Sequence, residues 1–275
     1  MTVTERHGYA TEVPDGSAAA VGTRWRSLPL ELVLLFTMFV AYRAGRLLTA
    51  DHTSTAFANA RELWHAERLL HLPRETGVQD WLLGNAHLVE VANSYYAVVH
   101  FPATVAFLVY MFIRQPAHYP WVRRTLVLLT GAALVVHVLF PLAPPRMRPD
   151  LGFVDTGAVF GPNVYGPPEG QSIANQFAAM PSLHIGWAML VAIGLIAVTR
   201  SRWRWLWLLH PLITVLVVVG TANHWWLDGV VVLGLLAGAL AIALVPQQVR
   251  WWRDIVGSGQ RAEPAVEAGR PGPAA

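Results

Sequence analysis

The chain has no cysteine, which excludes disulfides, thiolate nucleophiles and Cys-ligated zinc or iron. It also has no lysine, so all 20 basic residues are arginines whose guanidinium groups keep their protons. Charge of either sign is scarce. Only 13% of the 275 residues are charged, about half the share usual in a soluble domain, and the mean hydropathy is +0.40. Such a composition disfavours a soluble enzyme, and a chain that is 54% hydrophobic does not stay disordered over most of its length.

Long apolar runs take the place of charge. Six stretches, about 28–48, 93–113, 122–142, 181–199, 205–223 and 225–246, reach or approach the roughly 20 residues that cross a hydrocarbon core. They predict an all-α membrane protein, a six-helix transmembrane bundle over 28–248, with a disordered leader at 1–27 and a disordered tail at 249–275. The leader is polar and lacks a small-residue cleavage pattern, so the first run reads as a retained anchor. Arg24 and Arg26, Arg114, Arg123 and Arg124, Arg200, Arg202 and Arg204, and Arg250 and Arg253 all fall on one side of such a bundle. Because short cytoplasmic loops carry the positive charge, both termini are expected in the cytoplasm, with 49–92, 143–180 and the turn at 222–226 outside. The arginines are thereby assigned to membrane orientation, and no nucleic-acid partner is expected. Trp203, Trp205, Trp207, Trp225, Trp226, Trp251 and Trp252 sit at predicted span ends as an aromatic belt. The segment 57–72 reads as an interfacial helix with His65, Glu67 and Arg68 solvated or paired at headgroup level, and His137 and His210 read as helix-packing residues.

The informative polar residues lie at the outward span ends. His224 and Asp228 in ANHWWLDG are spaced i,i+4. If a helix begins at or before His224, they share a face, the carboxylate holds one imidazole nitrogen and the other is free to attack; a structural pair at a helix start is the plain alternative. MPSLHIGWAM opens the fourth span with Pro181 suited to a first turn, Ser182 able to cap or donate a hydroxyl, and His184 a turn inside. Such an N-terminus offers unpaired N–H groups to an anion. In FPLAPPRMRPDLG, Pro141, Pro144, Pro145 and Pro149 stop the third helix and fix an extended segment carrying Arg146 and Arg148. Guanidinium forks suit phosphate. Together these groups describe phosphoryl transfer through a phosphohistidine, with His224 as nucleophile, Asp228 as its orienter, His184 as acid and then base, and Arg146, Arg148 and Ser182 stabilising the phosphoryl oxygens. No metal or other cofactor is required.

At these residues the chain resembles the PAP2 superfamily, whose signature includes P-S-x-H and a later H-x-x-x-D. FPLAPPR, QFAAMPSLHIGWAM and TANHWWLDG are most similar to the inositol phosphorylceramide synthase (aureobasidin-target) branch, over about residues 90–245. The resemblance implies a six-helix bundle with an extracytoplasmic site that transfers a phosphoryl group or phosphorylated headgroup from a lipid. It implies acid and nucleophile roles for His184 and His224 and an orienting role for Asp228. Two features of the family pattern are absent. The first motif, K-x6-R-P, matches only at Arg148-Pro149, with Pro141 in place of its lysine, and the Ser-Arg that customarily precedes the nucleophile is replaced by Val217 and Val218.

Asn93, Tyr96 and His100 form a polar stripe on the second span, suited to an acceptor hydroxyl or to hydrogen bonds between helices. The loop 151–180, with Asp155, Asn163, Tyr165, Gln171, Asn175 and Gln176, is long enough for a lid or headgroup-recognition loop. Expected partners are the bilayer, a phospholipid or polyprenyl-phosphate substrate, and an inositol or lipid-alcohol acceptor. A lipid phosphate phosphatase is the first alternative. The others are a zinc hydrolase using His184, His224 and Asp228 as ligands and a non-catalytic headgroup-binding or transport protein.

Overall fold

The computed structural model describes residues 53–162 and 176–259, the last fourteen by backbone alone, together with Pro29, Val33, Phe36, Thr37 and Val40. The chain divides into two units, 1–44 and 45–275. In the first, the five described positions are helical and exposed, and Thr37 Oγ1 donates to the Val33 carbonyl at 2.8 Å. The rest of the first expected span and its leader lie outside the described residues, as do Asn163, Tyr165, Gln171, Asn175 and the tail beyond Gly259.

The second unit is helical throughout its ordered elements, with no strand among the described residues. Helix α1 (Thr53–Leu69) and α2 (Glu75–Leu83) precede α3 (Ala86–Ser94), which runs through a π-helical turn at Tyr95–Val99 into α4 (His100–Arg114). Then follow α5 (Tyr119–Leu139), the short α6 (Thr156–Phe160), α7 (Leu183–Val198), a 3-10 turn (Arg202–Leu208) leading into α8 (Leu209–Gly220), and α9 (Trp226–Gly259). Four helical runs, Ala86–Arg114, Tyr119–Leu139, Arg202–Gly220 and Trp226–Val245, are long and apolar enough to cross a membrane. The expected fourth span is α7, an apolar helix of 16 residues. The backbone of α9 stays helical through Pro246 to Gly259, past the boundary at 248 that hydropathy alone marks.

Local chemistry sets the helix starts. Asn85 and Asp155 cap α3 and α6 by accepting from Leu88 N at 3.2 Å and Ala158 N at 3.0 Å, and Pro120 occupies the first turn of α5. The center of the unit is α7, which packs against α4, α5, α8 and α9. Its sequence is apolar on every side, as a surrounded helix requires. Two glycines permit the approach: a Cβ on Gly186 would stand 2.6 Å from Val232 Cγ2, and one on Gly194 2.5 Å from Phe107 Cζ. Where lipid leaves no hydrophobic drive between helices, such close packing holds them together.

A second core lies beneath the loops at the end where α7 begins, formed by Ala56, Ala60, Leu63, Leu142, Ala143, Phe153, Ala179, Met180, Ala222 and Trp225. Trp225 is thus not an interfacial belt residue. It is fully buried, its Nε1 donates to the Ala143 carbonyl at 3.0 Å, and its ring meets Phe153 edge-on. Trp203, Trp205 and Trp207 are exposed, and the side chains of Trp251 and Trp252 lie outside the described residues.

Gly186→Val is expected to lower the stability of the bundle by about 1–3 kcal/mol through overpacking, read as a lower thermal midpoint in detergent. Gly131→Ala, where nothing lies within 4 Å of the added carbon, is expected to leave the midpoint unchanged or raise it. Equal midpoints for the Gly186 variant and the native chain would contradict this packing.

Candidate active site

Three polar segments distant in sequence are laced together by backbone hydrogen bonds. The proline-rich segment after α5 pairs with the segment before α7 through Leu142 N to Phe177 O at 2.8 Å and Ala179 N to Leu142 O at 3.4 Å. It also reaches the turn after α8, where Arg146 N donates to the Ala222 carbonyl at 2.7 Å. Ser182 N donates to the Asp228 carbonyl at 3.2 Å, which joins the starts of α7 and α9. His137, in the last turn of α5, completes the seam by contacting the Pro181 carbonyl through Nε2 at 3.2 Å.

The turn after α8 carries the principal histidine. Ala222 has a positive φ of 56°, a left-handed conformation that commonly ends helices, and Asn223 N and His224 N both donate back to the Val218 carbonyl. Helix α9 starts at Trp226, so His224 lies ahead of the helix and does not share a helical face with Asp228. The two meet because the Asp228 carboxylate turns back over the first turn. Its Oδ2 accepts from Trp225 N at 2.9 Å and from His224 Nδ1 at 3.2 Å. His224 Nδ1 also contacts the Ala179 carbonyl at 2.8 Å. Both partners of Nδ1 only accept, so that nitrogen carries the proton and Nε2 keeps its lone pair. Asp228 is fully buried and His224 nearly so.

His184 lies in the first turn of α7, two residues beyond Ser182, whose Oγ accepts from Ile185 N at 3.5 Å. Its ring is 5.7 Å from that of His224. Tyr96 stacks on it at 4.4 Å, and His100 lies at 4.8 Å. Tyr96 belongs to the π-helical turn Tyr95–Val99 and His100 follows it directly, and such turns frequently mark functional sites. His100 stands 6.2 Å from His210, whose Nδ1 meets Tyr95 Oη at 2.9 Å. Neither ring nitrogen of His100 has a hydrogen-bond partner among the described residues. Asn93 differs from its two stripe neighbours. It donates to the carbonyls of Thr156 and Gly161 at 2.9 Å each and accepts from Thr156 Oγ1 at 2.9 Å, so its amide is spent on holding the loop.

Both arginines are buried, each 6% exposed. Arg148 donates from Nε and Nη2 to Asp150 at 2.9 Å and 2.8 Å, a bidentate fork that holds the Asp150 carboxyl below the usual carboxylate range and raises the guanidinium further. Its Nη1 has no partner among the described residues. Arg146 Nε lies 3.8 Å from Asp155 Oδ2. Where the family pattern has a further arginine this chain has Val218, buried and engaged through its backbone.

The structure relocates Glu67 and adds two residues, Glu75 and Gln79, that the sequence did not single out. Glu67, expected at headgroup level, is fully buried, with Glu75 and Gln79 of α2 beside it in burial. Glu67 Oε1 accepts from Leu227 N at 2.9 Å. The signal was present: Ala56, Ala60, Leu63 and Glu67 are the buried positions of α1, spaced as one apolar helical face, so the glutamate falls on the stripe that must face the core.

No curated protein and no solved structure matches the chain. A family model described as the PAP2 superfamily matches residues 61–243, a range that takes in the second half of α1, the laced loops, both histidines and about the first half of α9. The chain therefore belongs to the PAP2 superfamily.

Proposed function

We propose that this chain is an integral-membrane lipid phosphotransferase with an extracytoplasmic site, working through a phosphohistidine on His224. The observation that carries the reading is the pair of imidazoles 5.7 Å apart, one of them with Nδ1 engaged by two acceptors and Nε2 left as a nucleophile. His224 Nε2 attacks phosphorus, the N–P bond forms as the bond to the leaving oxygen breaks, and His184 delivers a proton to that oxygen. His184 then takes the proton of the incoming hydroxyl as its oxygen attacks, and the N–P bond breaks. Asp228 balances the imidazolium charge and fixes its tautomer, as the carboxylate of a catalytic triad does. Arg146, Arg148 and Ser182 face the charge that develops on the phosphoryl oxygens.

The six-helix bundle belongs to the same proposal, with 28–48 as its first span and both termini cytoplasmic. The arginine distribution supports this orientation. The substrate is a phospholipid or polyprenyl phosphate, consistent with a family of phosphatases and phosphotransferases. The likeness of the three motifs to inositol phosphorylceramide synthases favours an alcohol acceptor, inositol or a lipid alcohol, over water. Among the described residues no group of three His, Asp or Glu side chains is arranged to hold a metal ion, and the chemistry above draws only on side chains.

Purified protein incubated with phosphatidylinositol, phosphatidic acid or a polyprenyl phosphate, with and without inositol or a lipid alcohol, is expected to yield a new phosphorylated product that requires the alcohol. Free phosphate alone would assign it as a lipid phosphate phosphatase, and no turnover of any lipid would leave a binding or transport role. Activity is expected to survive strong chelators, whereas its loss would favour the zinc hydrolase. Asp228→Asn is expected to lower kcat by about 10³- to 10⁴-fold, because the amide imposes the wrong tautomer, with lipid binding retained. A variant that keeps native kcat would contradict the orienting role.

A further inference from the structure

Glu67 belongs to α1, outside the membrane-crossing runs, and the chemistry above gives it no task. Its Oε1 accepts from Leu227 N, so a carboxyl from a remote segment caps the first turn of α9 immediately before Asp228. Glu75 of α2, 1% exposed, lies within hydrogen-bonding reach of it. Arg68 Nη2 donates to Glu75 Oε2 at 3.2 Å and stands 3.9 Å from Glu67 Oε2. Two buried carboxylates facing one arginine would leave a negative charge uncompensated, a costly arrangement. Glu67 Oε2 and Glu75 Oε1 are also the two oxygens of the pair with no donor among the described residues. One proton shared between them satisfies both and leaves a single charge opposite Arg68.

We propose that Glu67 and Glu75 form an acid pair sharing one proton, in which Glu67 is a positioning residue that fixes the start of α9 and with it the His224–Asp228 pair. The catalytic part of this rests on His224 being the nucleophile. The groups facing Glu67 are Arg68 on its own helix, Glu75 from α2, and Asp228 and Leu227 N–H from α9. Burial first, then the hydrogen bond and charge of Glu75, push the Glu67 carboxyl up from 4.5 to about 9, with Asp228 adding in the same direction and Leu227 N–H opposing. Raised in the fold, the carboxyl stays neutral near neutral pH. Its stabilising contribution is complete below 4.5, and is lost as pH climbs through about 9, where a second negative charge appears behind Asp228.

Infrared difference spectra of the full chain in detergent, titrated with alkali, read this proton without any need for turnover. The carbonyl stretch of a buried carboxylic acid is expected at neutral pH, fading with a midpoint near 9 and absent from Glu67→Gln. In lipid-phosphate turnover, Glu67→Gln keeps an oxygen for Leu227 N and an N–H for Glu75, so kcat is expected within a few-fold of native while the alkaline inflection disappears. Glu67→Ala is expected to lose on the order of 100-fold in kcat with KM little changed, the scale of a small misplacement of reacting groups. Should that variant fail to fold, the infrared band and the pH profile of Glu67→Gln decide. A native chain with no such band, or one retained unchanged in Glu67→Gln, overturns the acid pair, and identical pH profiles in the two proteins overturn the positioning role. The expected band in a protein that turns over no lipid phosphate would sink the catalytic reading while the acid pair stands.

Discussion

The Asp228 carboxylate ties this structure to its chemistry. One oxygen accepts from Trp225 N and from His224 Nδ1, and its backbone carbonyl receives Ser182 N. A single residue thereby caps α9, orients a histidine lying outside that helix, and joins the start of α7 to the start of α9. An acceptor placed at a helix N-terminus meets unpaired N–H groups and a partial positive charge, which makes a buried carboxylate tolerable there. The other contacts converge on it: Glu67 holds Leu227 N, and the proline-rich segment reaches the preceding turn through Arg146 N.

The same end of the molecule explains why α7 is short. His184, in its first turn, meets His100, fourteen residues into the helical run that begins at Ala86, or about 21 Å along it. The start of α7 is thus sunk below the end of α3, and the segment 176–182 descends to it, paired to Leu142 on the way. A helix beginning at that level is shorter than the long apolar helices it packs among. Close packing against Val232 and Phe107 through Gly186 and Gly194 lets it sit among its neighbours.

Apolar length was legible in the sequence, since the helices at 86–114, 119–139, 202–220 and 226–245 fall on four of the stretches read from hydropathy. So were the motifs, because Pro, Ser, His and Arg interrupt the apolar runs where helices stop. The route by which residues meet was hidden. His224 and Asp228 have helical spacing, yet they meet through a cap, because the left-handed turn at Ala222 delays the helix start, and nothing in an alanine announces that turn. Burial of single residues was underestimated: Trp225 reads as interfacial and lies in the core, and Glu67 reads as solvated or paired at headgroup level and lies under α9. In both cases composition was weighed before the position on the helix face or in the turn. Asn93 shows a different limit, since a polar stripe gives no indication of whether its groups face a ligand or a loop carbonyl.

The central claim is that His224 carries the phosphoryl group. Mixing the purified protein with a lipid labelled at phosphorus, quenching within one turnover in alkali and mapping the labelled peptide tests it directly. The account predicts an acid-labile, alkali-stable label confined to the peptide containing His224. Label on another residue, or a label that survives acid, would contradict it.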